Sequence, residues 1–286
     1  MKDLTLLALF TAASVARAYV PVETDYHEEV GIPLAMAIKC TEEGVDFDGA
    51  RIVGGSVAGV GTHPHLAGML ITLTDGRTSI CCASLLSPTR SVTAAHCWRT
   101  MTLQGRQLTL AFGTTELFFG GFRVTTNNVQ VHPNFVPRNL RNDVAMIIHG
   151  RVTYTNVIQP IFLPSGHLLN NQFVGTWAWA AGYGRISDDF SVSNTRKNQV
   201  PLQVITNAAC AQVYAANNIL PSTFCVNTAG GRGTCLGNSG GPLAFTYAGR
   251  RTLIGITSFV GRTCQAGQPA GFARVTSFAS WIQARL

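Results

Sequence analysis

A chain of 286 residues, 46% of them hydrophobic and only 12% charged, is too apolar to be intrinsically disordered and too long to be a disulfide miniprotein. Its formal net charge of +7 invites a nucleic-acid partner, but the basic residues are scattered singly or in pairs, and that footprint needs clusters. Of the 21 basic residues 18 are Arg, against Lys2, Lys39 and Lys197. Two readings compete: a gene rich in Arg codons, or a strongly alkaline working medium in which Lys would lose its charge.

Lys2, an apolar run over residues 4–16 and the tripeptide Ala16-Arg17-Ala18 form the pattern of a secretory signal cut after Ala18. The run is too short to span a bilayer and no later stretch reaches that length, so a secreted product with no membrane partner is expected. Residues 19–51 carry eight acids against Lys39 and Arg51, a net of −6, whereas residues 52–286 carry 17 bases against five acids, a net of +12. The acidic segment lacks apolar periodicity and is expected not to pack, which leaves Arg51 before Ile52-Val53-Gly54-Gly55 exposed to a trypsin-like activating protease. A tail that simply stays attached is the alternative.

From residue 52 the pattern is one of short β-branched or alternating runs separated by turns. Residues 66–74 and 78–86 flank Asp75-Gly76, and 242–247 and 251–259 flank Ala248-Gly249, both hairpin signals. Further strands are predicted at 108–112, 122–131, 143–149, 176–181 and 201–206. The fold class is therefore all-β, a sandwich or barrels. Residues 277–286 place Phe278, Trp281, Ile282 and Leu286 on one side of a terminal amphipathic helix that packs on the core. There is no repeat or linker within 52–286, so it reads as one domain.

Three polar residues sit where chemistry is expected. His96 follows Thr93-Ala94-Ala95 and precedes Cys97, which can anchor it; Asp143 heads the apolar run 144–148 and needs a partner there. Ser239 lies in Gly237-Asn238-Ser239-Gly240-Gly241-Pro242, where glycines permit a tight turn whose N–H groups converge. Singly these read as a core histidine, a strand cap and a glycine turn. Together, in the order His, Asp, Ser on an all-β chain, they suit nucleophilic acyl transfer. Eight cysteines in a secreted chain make disulfides expected, but the sequence does not choose their pairing.

Residues 52–286 resemble the chymotrypsin family of serine endopeptidases through Ile52-Val53-Gly54-Gly55, Thr93-Ala94-Ala95-His96-Cys97, Asn142-Asp143-Val144-Ala145, the turn around Ser239 and Gly271-Phe272-Ala273-Arg274-Val275. The stretches 85–93 and 269–272 are similar to insect, especially moth larval midgut, chymotrypsins. The resemblance implies two six-stranded antiparallel β-barrels with the active site in the cleft between them and a C-terminal helix. It implies Ser239 as nucleophile, His96 as base and Asp143 as its orienting carboxylate, with the N–H groups of Gly237 and Ser239 as the oxyanion hole. Ser258 would bond Asp143 and offer backbone to a bound peptide. Disulfides Cys81–Cys97, Cys210–Cys225 and Cys235–Cys264 are implied, which leaves Cys40 and Cys82; Cys82, where relatives carry Gly, is either a buried free thiol or bridged to Cys40 in the precursor, and the free thiol is the expectation.

The same resemblance makes Gly233 the floor and Val260 and Ala270 the walls of the primary specificity pocket. With no Asp on the floor, cleavage is expected to be chymotrypsin- or elastase-like and not tryptic. No cofactor or metal is implied, because only Glu116 is acidic between residues 76 and 142, where relatives hold calcium. Expected partners are protein or peptide substrates, the activating protease at Arg51 and protein protease inhibitors, for a monomeric digestive enzyme of the gut lumen. Asn238 departs from the family's Asp, which receives the new Ile52 ammonium after activation. Either the enzyme works with a neutral Ile52 amine at alkaline pH, or the chain is a weak or inactive homologue that acts by binding.

Overall fold

Alternation along the predicted runs becomes two curled antiparallel sheets, each closing around its own apolar interior. The computed structural model describes residues 19–44, 56–185, 188, 196–230, 233–261 and 263–286. The expected signal segment 1–18, Arg51 and Ile52 lie outside the described residues. After a two-residue strand β1 (Ser56–Val57), the first sheet comprises β2 (Leu66–Leu73), β3 (Thr78–Ser87), β4 (Arg90–Thr93), β5 (Gly105–Phe112), β6 (Phe122–Thr126), β7 (Val129–Val131) and β8 (Ala145–Ile148). Its order is β6-β5-β2-β3-β4-β8-β7. The predicted run 122–131 is thus broken at Asn127 and Asn128 into the two edge strands β6 and β7, and the chain between them closes the barrel. Met69, Ile71, Leu85, Leu110, Phe112 and Met146 fill it.

The second sheet comprises β9 (Trp177–Gly182), β10 (Asn198–Ile205), β11 (Thr223–Asn227), β12 (Pro242–Tyr247), β13 (Arg250–Phe259) and β14 (Ala270–Arg274). Because β9 pairs with both β12 and β10, these six strands form a closed ring, and β1 adds a seventh at β10. Leu202, Val204, Phe224, Leu243, Ile254 and Phe272 form its core. Ala248 (φ 48°) and Gly249 (φ 75°) are both left-handed, as a two-residue hairpin joining Tyr247 to Arg250 requires. Strands β11 and β14 escape the alternation rule because almost every residue in them is buried on both faces.

Among the described residues the α-helices are α1 (Ile32–Glu42), the short α2 (Asn207–Cys210) and α3 (Val275–Gln283). In α3 the buried face is Val275, Phe278, Ala279 and Ile282; Leu286, predicted on that face, lies beyond the helix end and is exposed. Helix α1 overturns the expectation that the acidic segment does not pack. Residues 26–42 are helical, and Leu34, Ala35 and Ile38 are buried against Leu66, Ile80, Cys82, Leu117 and Tyr183. Val30, Leu34 and Ile38 recur every four residues, and the eight acids around them conceal that stripe in a composition count.

Candidate active site

Each of the three predicted side chains is delivered by a strand end. His96 sits in a single 3-10 turn (Ala95–Cys97) directly after β4, and the Cys81–Cys97 disulfide ties that turn to β3. Asp143 precedes β8 on a backbone that has just passed through left-handed Leu140 (φ 53°) and Asn142 (φ 55°). Ser239 lies in the turn before β12, with Gly237 at φ 95° and Gly240 at φ 77°. A Cβ on Gly240 would fall 2.2 Å from Thr93 Oγ1, so only glycine lets this turn lie against β4. The turn is fixed by Gly240 N–H on Thr257 O (2.9 Å) and by Cys82 N–H on Ser239 O (2.8 Å).

Asp143 and His96 are almost wholly buried, and the carboxylate is fully used. Its Oδ1 accepts the His96 backbone N–H (2.9 Å), while Oδ2 accepts His96 Nδ1–H (2.7 Å) and the Ser258 hydroxyl (2.6 Å). A bond from Nδ1–H fixes the tautomer and leaves Nε2 as the unprotonated nitrogen, 3.9 Å from Cys97 Sγ. Ser258 reaches Asp143 because the β13–β14 register shifts between Thr257 and Phe259, a bulge that re-aims one side chain. The disulfides Cys210–Cys225 and Cys235–Cys264 pin the remaining loops; Cys82 is a buried free thiol, its pKa pushed up to about 12 by burial, and Cys40 is free and exposed.

Among the described residues no hydrogen bond joins His96 to Ser239, and a residue that sequence reasoning missed lies beside both. The Tyr26 ring meets His96 edge-on at 4.9 Å between centroids. Its hydroxyl interacts with the Ser239 side chain and donates to Ile80 O (2.8 Å), and burial drives its pKa far upward. Tyr26, Glu23, Ser239, Ser258 and Val260 border a remaining cavity of only about 20 Å³. Gly233 and Ala270 do not line that space: Gly233 abuts the Thr228 methyl, and Ala270 is fully buried within the second core, with half-buried Val260 packed against it.

Asn238 is buried and both ends of its carboxamide are engaged. Oδ1 accepts Gly184 N–H (3.0 Å) and Nδ2 donates to Cys235 O (3.0 Å). A neutral amide thus satisfies the position in the uncut chain.

Two antiparallel barrels with a buried Asp–His pair beside a serine turn define the serine proteases of the trypsin fold. Residues 52–282 match the family described as Trypsin, and the chain belongs to it as a serine-type endopeptidase. It is 39% identical over 234 residues to "Collagenase" of Hypoderma lineatum, covering 82% of this chain and 86% of that one. "Brachyurin" of Leptuca pugilator is 34% identical over 81% of this chain and 97% of its own length, and "Trypsin, alkaline A" of Manduca sexta 30% identical over 82% and 90%. A solved structure of HL collagenase superposes with a TM-score of 0.74 at 38% identity, covering 82% of this chain and 98% of that one.

Proposed function

We propose that this endopeptidase is secreted as a zymogen, with 1–18 as signal peptide and 19–51 as activation segment. Cleavage after Arg51 by a trypsin-like protease frees Ile52, and residues 52–286 hydrolyse peptide bonds with non-tryptic specificity. The observation that carries the reading is the Asp143 carboxylate holding His96 Nδ1–H at 2.7 Å, next to the Ser239 turn. Ser239 Oγ attacks the scissile carbonyl while His96 Nε2 takes its proton and returns it to the leaving amine. Asp143 keeps the tautomer and stabilises the imidazolium. The N–H groups of Gly237 and Ser239 receive the oxyanion, a contribution of roughly 3 to 4 kcal/mol per donor.

In the cut chain the pocket that the resemblance implies, with Gly233 as floor and Val260 and Ala270 as walls, takes a neutral side chain, of aromatic or smaller aliphatic size. The relative named collagenase makes collagen and gelatin substrates to try. A digestive, alkaline setting is supported by the Lys content: Lys197 is the single Lys in residues 52–286, which carry their charge on Arg. Protein inhibitors that fill the same cleft are the further partners of such an enzyme.

Asn238 favours a second reading, a homologue that binds without turning over, since its amide offers the Ile52 ammonium no charge. The two are separated by cutting the secreted precursor with trypsin, removing the released segment, and assaying aromatic and small aliphatic esters and amides from pH 7 to 11. Turnover that Ser239→Ala abolishes supports the endopeptidase. Silence at every pH, with activity restored by Asn238→Asp, refutes it in favour of the binding homologue.

A further inference from the structure

A segment expected to be loose lies instead across the nucleophile. From these contacts we infer that the cleft and the apolar groove beside it form a docking surface for a helical peptide. Its occupant is residues 19–44 of this same chain, which stay bound after the Arg51 cut and block the site until displaced. The inference rests on the endopeptidase reading for what is blocked, but docking itself is independent of turnover.

The segment runs through the cleft from end to end. Val20 pairs with Tyr214, its N–H donating to Val213 O (3.0 Å), and Tyr26 covers His96 and Ser239. Farther on, Leu34 rests directly on the oxyanion turn, since a Cβ on Gly237 would fall 2.2 Å from Leu34 Cδ2. Glu42 closes the helix end by accepting Leu117 N–H (2.6 Å) and Phe118 N–H (2.7 Å). Asp25 accepts the Thr102 hydroxyl (2.7 Å), and Glu28 pairs with Arg77 (2.5 Å). The acids of the segment thus meet donors on a body of opposite charge.

Two features mark this occupant as a blocker and not a substrate. A protease substrate lies extended and pairs with a strand edge, whereas Tyr26 is helical (φ −49°, ψ −42°) and the Val20–Tyr214 bridge is parallel. Among the described residues no backbone hydrogen bond joins 19–26 to Ser258, Phe259 or Val260. The bond to be cut lies between Gly44 and Ser56, and none of these contacts involves a residue of that stretch. When the segment leaves, Leu66, Ile80 and Leu117 lose the helix that covers them.

The test cuts the full precursor with trypsin and follows both pieces by gel filtration and by hydrolysis of a small ester. Expected is co-elution of the fragment, with activity below about a tenth of that regained once the fragment is removed. A synthetic peptide of residues 19–44 carrying Cys40→Ser then restores the block, competitively with substrate. Tyr26→Ala or Leu34→Ala in the peptide raises the inhibition constant at least about 30-fold, ~2 kcal/mol at 1.4 kcal/mol per decade. Met36→Ala, at an exposed position, leaves it unchanged. A fragment that elutes free from an active enzyme, with no inhibition by the peptide, overturns the inference and leaves the endopeptidase standing. If no form turns over, anisotropy of the labelled peptide on the cut protein decides: saturable binding lost with Leu34→Ala supports docking, and absence of binding overturns it.

Discussion

Replacing Asn238 by Asp tests whether the uncut chain is built around a neutral amide. In the precursor Nδ2 donates to Cys235 O at 3.0 Å and Oδ1 accepts from Gly184 N–H at 3.0 Å, in a site that is almost sealed. A carboxylate keeps the second bond but turns an oxygen toward the Cys235 carbonyl, leaving a buried charge without a partner, which costs about 3 to 5 kcal/mol. At 2 to 4 °C per kcal/mol for a chain of this size, the precursor should melt roughly 6 to 20 °C lower. Burial raises the variant carboxyl's pKa above its free value of ~3.9, so stability falls as pH rises through that window. Near pH 4 the protonated group donates to Cys235 O again and most of the loss disappears. After the cut, the Ile52 ammonium offers a counter-charge, and the deficit should shrink or reverse. The assay is thermal unfolding of Ser239→Ala precursors, with and without Asn238→Asp, at pH 4.5 and 9, before and after trypsin. Equal melting at pH 9 before the cut, or a loss that ignores pH, would refute the reasoning.

Docking of the segment should itself depend on pH through His27. Burial, then the nearby His96, lowers its pKa to about 3, while Nδ1 contacts Ser79 Oγ at 2.8 Å. Peptide affinity is then full above the free value of ~6.5 and falls toward tenfold per unit below it; an unchanged inhibition constant between pH 7.5 and 5 would contradict this. Lys197 is buried with Nζ donating to Val60 O (2.6 Å), and burial lowers its pKa to about 8. The folded chain sheds this proton first, so its contribution is full above the free pKa of ~10.4 and is lost as pH falls through 8. The melting temperature of the wild type minus that of Lys197→Met should therefore climb from pH 8 to 10, and a flat difference counts against it. A thiol reagent at pH 8 should find one reactive group in the native chain, Cys40, and a second, Cys82, only in guanidinium; two fast thiols would mean that Cys82 is not sealed.

What the sequence discloses follows from which forces are local. Strands with one wet face announce themselves by alternation, and the turns at Asp75-Gly76 and Ala248-Gly249 announce themselves by conformations few other residues adopt. The residues that converge, His96, Asp143 and Ser239, stand in short motifs because each needs a particular backbone around it. Ser258 does not stand out in that way: its aim at Asp143 comes from a slip of register between β13 and β14, a property of two strands together. Strands β11 and β14 are hidden for a related reason, since burial on both faces removes the period.

The acidic segment shows most clearly where composition misleads. Eight acids in 33 residues suggest a chain that stays in water, and that inference holds only if the acids have nothing to meet. Here Asp25, Glu28 and Glu42 each find a donor on the body, while Leu34 and Ile38 supply the apolar contact that no single charge provides. The whole-chain charge of +7 therefore sums a −6 peptide, a +12 body to which it is complementary and +1 from residues 1–18. Salt should weaken the exposed Glu28–Arg77 pair and leave the packing of Leu34 on Gly237 untouched. The shape of the interface thus holds the segment in place, and the charge chiefly selects which segment arrives.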